Sequence, residues 1–312
     1  MADIICPSYV LSPIRTILEP LIVPALLLAY LPQYIQISRH GTAGISPRWI
    51  LYLCLFSNAQ LASRLANTKF SSAVECILYD GEIRGWQAFG VLLTYFQVGA
   101  QWLSAMLLLY FFVKFRSPTG DALYTALPTD PADASSVQGD EPSNETFAAT
   151  SEMSSQRMTS VIATQALVFI IIAITSLVMP KVGKGRDIDL PAMLLWSMFR
   201  DIFYWLCIAM ALTLVIGFCV FQVRDVMRAR HDTGSILSLA LQVIVLLALA
   251  LLQAFRPAYP ETASRWRALV WYLQIGNVSV HYFIMSLGHA ICLGLRIYYS
   301  WSADAENISE SG

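Results

Sequence analysis

The stretch ILSLALQVIVLLALALLQAF, residues 236–255, runs for 20 residues without one ionised side chain. About 20 apolar residues in a helix are enough to cross the roughly 30 Å hydrocarbon core of a bilayer. A helix also satisfies its own backbone hydrogen bonds, which is necessary where no water is available. Residues 86–113 and 161–179 are uncharged in the same way. These three windows predict an integral membrane protein.

The composition extends this prediction to the whole chain of 312 residues. Hydrophobic residues make up 56% of it and charged residues 13%, against roughly 25% charge in an ordinary soluble domain. We therefore predict an all-α, polytopic membrane protein with about seven spans, which are Pro20–Ser38, Trp49–Leu65, Trp86–Val113, Val161–Met179, Ile202–Val223, Ile236–Phe255 and Ala268–Leu295. The second span is the weakest because it carries Asn58 and Gln60. A short amphipathic segment, Pro191–Phe199, is predicted to lie on the surface before the fifth span.

Two segments lack the apolar residues that a folded core requires. Residues 115–160 and the tail 301–312 are rich in Ser and acidic residues, so both are predicted to be disordered. The formal net charge is -1 and there is no basic tract, which argues against nucleic acid as a partner. The six cysteines show no paired metal-ligand spacing, so neither a metal site nor a cofactor is predicted.

Two parts of the chain resemble each other. Residues 31–46 read LPQYIQISRHGTAGIS and residues 220–238 read VFQVRDVMRARHDTGSILS. An offset of 191 superimposes the Arg-His pair at 39–40 on the pair at 230–231. An offset of 189 superimposes Gln33 on Gln222, so a gap of two residues reconciles the alignments. The chain therefore contains an internal repeat.

The position of each copy predicts the topology. Each copy stands at the end of one span and is followed by two more. Three spans reverse the side of the membrane, so a second copy in the same orientation needs one further span between the copies. We predict a first three-helix repeat in residues 1–114, a linker helix in residues 161–180 and a second three-helix repeat in residues 190–300. The two repeats are expected to be parallel.

The dipeptide Pro32-Gln33, followed by a short polar loop with Gly44 and Ser46, resembles the PQ-loop family, which includes cystinosin-like and SWEET transporters. The second copy departs from the pattern, since Phe221 stands where the proline would be. The resemblance implies a transporter that moves a small polar solute, of the amino-acid or sugar class, by alternating access. The expected partners are the lipid bilayer and this solute, with a homo-oligomer left open.

The motif has a physical interpretation. Proline inside a helix removes one backbone hydrogen bond and clashes with the carbonyl four residues earlier, here that of Leu28. Pro32 is therefore a candidate hinge, or else a static kink of the kind that membrane helices tolerate. Gln33 and its counterpart Gln222 are candidates for contact with the solute, or else polar residues at the membrane interface.

Four other polar residues in or beside the spans are candidates. Asn58 and Asn277 are in different halves of the repeat and could bind the solute, or else they form hydrogen bonds between helices. Asp201 and His281 are candidates for proton coupling, because a coupled carrier needs a titratable group. The alternatives are that Asp201 marks the membrane boundary and that His281 is a hydrogen-bonded interior histidine.

Two other classes of function are open. Small seven-span terpene cyclases use acidic residues as proton donors, and here Glu75, Asp80 and Glu82, together with Asp201, could supply them. A receptor or scaffold would use the Ser/Thr-rich loop as a phosphorylated docking segment. The sequence Tyr124-Thr-Ala-Leu127 has the form of a sorting signal, so the expected location is an endomembrane (vacuolar or lysosomal) or the plasma membrane.

Overall fold

The structure, a computed structural model, describes residues 13–41, 47–66, 85–115, 190–229, 235–255 and 276–311, and, near the fourth predicted span, residues 160, 162–164, 166, 167 and 170. All regular structure in these residues is helical. The long helices are α1 (Pro13–His40), α2 (Pro47–Ala66), α3 (Trp86–Lys114), α4 (Leu190–Ala229), α5 (Ile236–Ala254) and α6 (Asn277–Ser311).

Most of the predicted spans coincide with these helices. The first three predicted spans fall within α1, α2 and α3, and the sixth matches α5 to within one residue. The fifth span forms the middle of α4, and the seventh overlaps α6. The few described residues of the fourth span are helical. The predicted disordered loop, residues 115–160, lies outside the described residues except for its two ends.

Two boundaries differ from the prediction. The segment Pro191–Phe199 is not a separate surface helix but the first part of α4, because no proline or glycine separates it from the fifth span. Pro191 itself stands at the helix start, where its missing N–H group is not needed. The tail 301–312 was predicted to be disordered, yet α6 continues to Ser311. Lengthening a helix that already exists needs no new nucleus, and Ala303, Ala305 and Glu306 favour helix.

Five of the described helices are long and apolar enough to cross a membrane: α1, α3, α4, α5 and α6. Their outer faces carry large exposed hydrophobic side chains, such as Leu28, Leu103, Leu206, Ile244 and Leu287. Exposed apolar surface of this extent is typical of contact with lipid. The chain is therefore all-helical and consistent with an integral membrane protein.

α2 is polar and largely buried between its neighbours. It carries Asn58, Gln60 and Arg64, all of them buried. Within the described part of the chain, α2 exposes no large hydrophobic side chain, whereas each of the five apolar helices exposes several. α2 packs against α3 and α4. Its polar residues therefore contact other helices rather than lipid.

The helices pack in a ring. Each of the six packs mainly against two others, in the order α1, α3, α2, α4, α6, α5 and back to α1. Within α1 to α3, and again within α4 to α6, the third helix lies between the first and the second. The two groups of three meet mainly along two helix pairs, which we name the α2–α4 seam and the α1–α5 seam.

The two repeated motifs lie at one end of this ring. The connections from α1 to α2 and from α4 to α5 are only six residues long, 41–46 and 230–235. We name this end of the bundle the motif end. At the opposite end, which we name the far end, the last turn of α2 meets the first turn of α6 through Arg64 and Asn277.

Candidate functional site

The interior of the bundle contains many polar side chains. Gln33, Gln97, Gln101, Gln242 and Gln253 are all buried, as are several serines and two histidines. Polar groups at membrane depth usually face the bundle interior, and their burial is unfavourable unless they are hydrogen-bonded. Their hydrogen bonds divide these side chains into two groups.

The first group joins neighbouring helices. The Ser279 hydroxyl of α6 donates to Ala250 O of α5 at 2.6 Å. At the far end, Gln97 Nε2 donates to Glu19 O at 3.1 Å, and Gln97 Oε1 accepts from Gln253 Nε2 at 2.6 Å. Gln97 thus connects α3 to both α1 and α5. Such residues stabilise the bundle and need no ligand.

The second group begins on one face of α2. Phe56, Gln60 and Arg64 are four residues apart and therefore share a face of the helix. The rings of Phe56 and His281 meet edge to face with centroids 5.8 Å apart, and Arg64 Nη2 donates to Asn277 Oδ1 at 2.9 Å. This face is therefore turned toward α6. Gln60 lies between the two contacts and is 1% exposed, yet neither atom of its amide has a hydrogen-bond partner among the described residues.

Other buried side chains nearby share this property. Within the ranges that the structure describes, Ser57 Oγ, His281 Nδ1 and the Tyr282 hydroxyl have no hydrogen-bond partner. Tyr282 is fully buried, and it lies close enough to Arg64 and Tyr30 to interact electrostatically with both. Tyr282 therefore extends the group from α2 and α6 toward α1.

α3 completes this group. Gln101 Nε2 donates to Tyr30 OH at 2.9 Å, whereas Gln101 Oε1 has no partner in the described part of the chain. We name the set the central cluster, and its members are Tyr30, Ser57, Gln60, Gln101, His281 and Tyr282. It combines α1, α2 and α3 of the first group of helices with α6 of the second.

The central cluster has free hydrogen-bonding capacity among the described residues. A buried donor or acceptor without a partner costs about 1–3 kcal/mol, and the described residues place six such atoms in the cluster. Hydroxyls, an imidazole and amides provide both donors and acceptors. The cluster can therefore hydrogen-bond water or a small polar molecule.

The two predicted asparagines lie in the interior but have different partners. Asn58 Oδ1 accepts from Trp102 Nε1 of α3 at 2.6 Å, and Asn58 Nδ2 has no partner among the described residues. Asn277 accepts from Arg64 and donates to Tyr204 OH of α4 at 3.4 Å. Asn58 is two residues from Gln60, about 200° around the helix, and so points away from the central cluster. The structure does not bring the two asparagines together.

The predicted hinge and the motif glutamines lie near the motif end. Pro32 is inside the continuous helix α1. Gln33 Oε1 accepts from Gln242 Nε2 at 3.3 Å across the α1–α5 seam. Gln222 is buried on α4, and no partner for its Oε1 exists within the described residues. Neither glutamine belongs to the central cluster.

The two candidates for proton coupling differ in environment. Asp201 is exposed and is the first residue of the apolar part of α4, Asp201–Met227. His281 is 3% exposed, lies one turn after Asn277 and faces Phe56. Only His281 belongs to the central cluster.

Other predicted residues lie outside this region. Glu75, Asp80 and Glu82, the candidates for a cyclase reaction, lie outside the described residues. In the part of the chain that is described, no group of three His, Cys, Asp or Glu side chains is placed to hold a metal ion.

Sequence reasoning missed most of the central cluster. In the sequence, Gln60 only lowers the hydropathy of the second span, and Ser57 and Tyr282 are ordinary residues of membrane helices. One signal was available, because Gln60 and Arg64 are four residues apart and form a polar stripe on α2. The partners of that stripe on α6 follow only from the packing.

Together, the fold and the site define an all-helical protein with five helices that could span a membrane and a polar cluster enclosed between them. Comparison with protein-family models, with curated proteins and with solved structures finds no match to this chain. The resemblance to PQ-loop proteins therefore depends on the motifs alone.

Proposed function

We propose that this protein is a multi-pass membrane transporter that moves a small polar solute by alternating access, with the solute bound at the central cluster. The observation that carries the proposal is the group of buried polar atoms on α2, α3 and α6 that lack partners among the described residues. Such atoms do not stabilise a fold. A site that binds and releases a polar guest requires them.

The order of the helices supports the same proposal. If α1, α2 and α3 are superimposed in order on α4, α5 and α6, the α2–α4 seam becomes the α5–α1 seam, and the ring is unchanged. This exchange is expected for two parallel repeats related by an axis along the membrane normal. A PQ-loop-like architecture, with residues 161–180 as the linker helix, accounts for the arrangement.

The position of the central cluster fits alternating access. Phe56 and His281 approach each other from different groups of helices, so the cluster lies where the two groups meet. α5 is held to the first group by Gln253 at the far end and by Gln242 near the motif end. A carrier closed at both ends has this arrangement, and each end would open in turn.

The proposal is tested by uptake of amino acids and sugars into proteoliposomes, with and without a pH gradient. The purified wild type is compared with Gln60→Leu, which removes the amide at the centre of the cluster while retaining a side chain of similar size. The matched control is Ser279→Ala, because Ser279 is also buried in the interior but only joins α6 to α5. We expect saturable uptake by the wild type and by the control, and its loss in Gln60→Leu.

Two outcomes would contradict the proposal. One is the absence of saturable uptake of any solute in the panel by wild-type protein that unfolds cooperatively. The other is unchanged uptake in Gln60→Leu, which would place the pathway elsewhere.

A further inference from the structure

The α1–α5 seam is polar near Pro32. The Ser238 hydroxyl donates to Ala29 O of α1 at 2.9 Å, and Gln242 Nε2 donates to Gln33 Oε1 at 3.3 Å and to Ser238 Oγ at 3.1 Å. These contacts lie within one turn of Pro32, where the helix lacks an intrahelical hydrogen bond. We name the contacts of Ala29, Gln33, Ser238 and Gln242 the polar latch.

The α2–α4 seam has aromatic packing at the equivalent position. The rings of Tyr52 and Phe221 have centroids 5.0 Å apart, and those of Trp49 and Phe218 are 6.0 Å apart. A Cβ atom placed on Gly217 would lie 2.5 Å from the Tyr52 ring, so α2 and α4 approach each other closely there. This seam is held by interlocking rings.

The alignment of the two motif copies shows which residues differ between the two seams. With the offset of 189, Pro32 corresponds to Phe221, and with the offset of 191, Gln242 corresponds to Leu51. One seam thus has a helix-weakening proline beside an amide pair. The other has Phe221 in place of the proline and retains one amide, Gln222, while Leu51 replaces the second.

The two seams should respond differently to water. The hydrogen bonds of the polar latch can be exchanged for hydrogen bonds to water when the helices separate. The rings at the α2–α4 seam have no such replacement, because separation would expose apolar surface to water. Both helices are continuous, but α1 has Pro32 in its interior, where a hinge can form, whereas the only proline of α4 is Pro191 at its start.

We propose that the bundle opens at its motif end along the α1–α5 seam alone, while the α2–α4 seam stays closed and acts as the pivot. This inference deepens the proposed transport function, since it states which contact admits the solute at that end. It also gives a reason why Phe221 stands where the second motif would have a proline. Without that proline, the α2–α4 seam stays closed.

The test measures distances between spin labels by electron paramagnetic resonance in a variant whose six cysteines are replaced. One labelled pair, Ser38→Cys with Leu237→Cys, reports on the α1–α5 seam, and the matched pair, Arg48→Cys with Arg224→Cys, reports on the α2–α4 seam. All four side chains are exposed near the motif end. We expect two distance populations for the first pair and one for the second.

A substitution in the polar latch should shift the distance populations in a predictable direction. Gln242→Leu should raise the longer-distance population of the first pair and leave the second pair unchanged. A single population for the first pair in both backgrounds, or a second population for the Arg48/Arg224 pair, would overturn the inference. The distance measurement needs no solute. An absence of uptake with two populations at the first pair would therefore reject the transport proposal and retain the one-sided opening.

Discussion

Arg64 Nη2 donates a hydrogen bond of 2.9 Å to Asn277 Oδ1, and this bond joins the last turn of α2 to the first turn of α6 at the far end of the bundle. Arg64 is 8% exposed. Hydrogen bonds to charged groups contribute about 1.5–3 kcal/mol, more than neutral ones. The pair therefore connects the two groups of helices beside the central cluster.

Replacing Asn277 should destabilise the protein. We expect Asn277→Leu to lower the free energy of unfolding by about 2 kcal/mol, because a buried guanidinium loses an acceptor. A double-mutant cycle with Arg64→Gln, followed by unfolding in detergent, should give a coupling energy above the roughly 0.6 kcal/mol average of interhelical bonds in membranes. Strictly additive effects would show that the contact contributes nothing to stability.

Replacing Gln60 should have the opposite effect on stability. Because its amide has no hydrogen-bond partner in the described residues, Gln60→Leu should leave the free energy of unfolding unchanged or raise it by about 1 kcal/mol. The matched variant Gln253→Leu removes the 2.6 Å bond to Gln97 and should lower it by about 1–3 kcal/mol. Equal destabilisation by both variants would mean that Gln60 is a packing residue and not part of a site.

Gly217 should not tolerate a methyl group. A Cβ there would collide with the Tyr52 ring, so Gly217→Ala should destabilise the protein by about 1–3 kcal/mol through overpacking. The control is Gly99→Ala on α3, where the added atom would meet nothing within 4 Å. That change should raise stability by up to about 1 kcal/mol through helix propensity. If the two variants unfold at the same temperature, the close approach of α2 and α4 is incorrect.

Asp201 and His281 should differ in their effect on transport. Asp201→Asn alters an exposed group at the start of the apolar part of α4, so we expect uptake close to wild type. His281→Gln alters the central cluster and should lower uptake about tenfold, the equivalent of about 1.4 kcal/mol. Initial rates in proteoliposomes measure both. A large loss in Asp201→Asn with full activity in His281→Gln would reverse the assignment.

The helices could be predicted from the sequence, because hydropathy reports directly on the length of an apolar segment. The window 236–255 matches α5 to within one residue for this reason. The ends of α4 and α6 were predicted less well. Both helices continue at their C-terminal ends into polar sequence that contains no proline or glycine. Hydropathy marks the end of the apolar residues and not the end of the helix.

The candidate cluster could be predicted from the sequence only in part. His281 belongs to the central cluster, but Asn58 is bonded to Trp102, and Gln33 is bonded to Gln242. Polar residues in a membrane helix look alike in a sequence, since both a helix contact and a binding site need them. Gln60 and Gln97 are distinguished only by their hydrogen-bond partners. Those partners depend on how the helices pack, which the sequence does not show.

The enclosure of α2 within the bundle has a consequence for biosynthesis. A segment leaves the translocon for lipid according to its own hydrophobicity, and asparagine, glutamine and arginine oppose that step. In the described residues, α2 exposes no large hydrophobic side chain to favour it. We therefore expect α2 to remain beside α1 at the translocon until α3 has been synthesised, so that the first three helices enter the bilayer as one assembled unit.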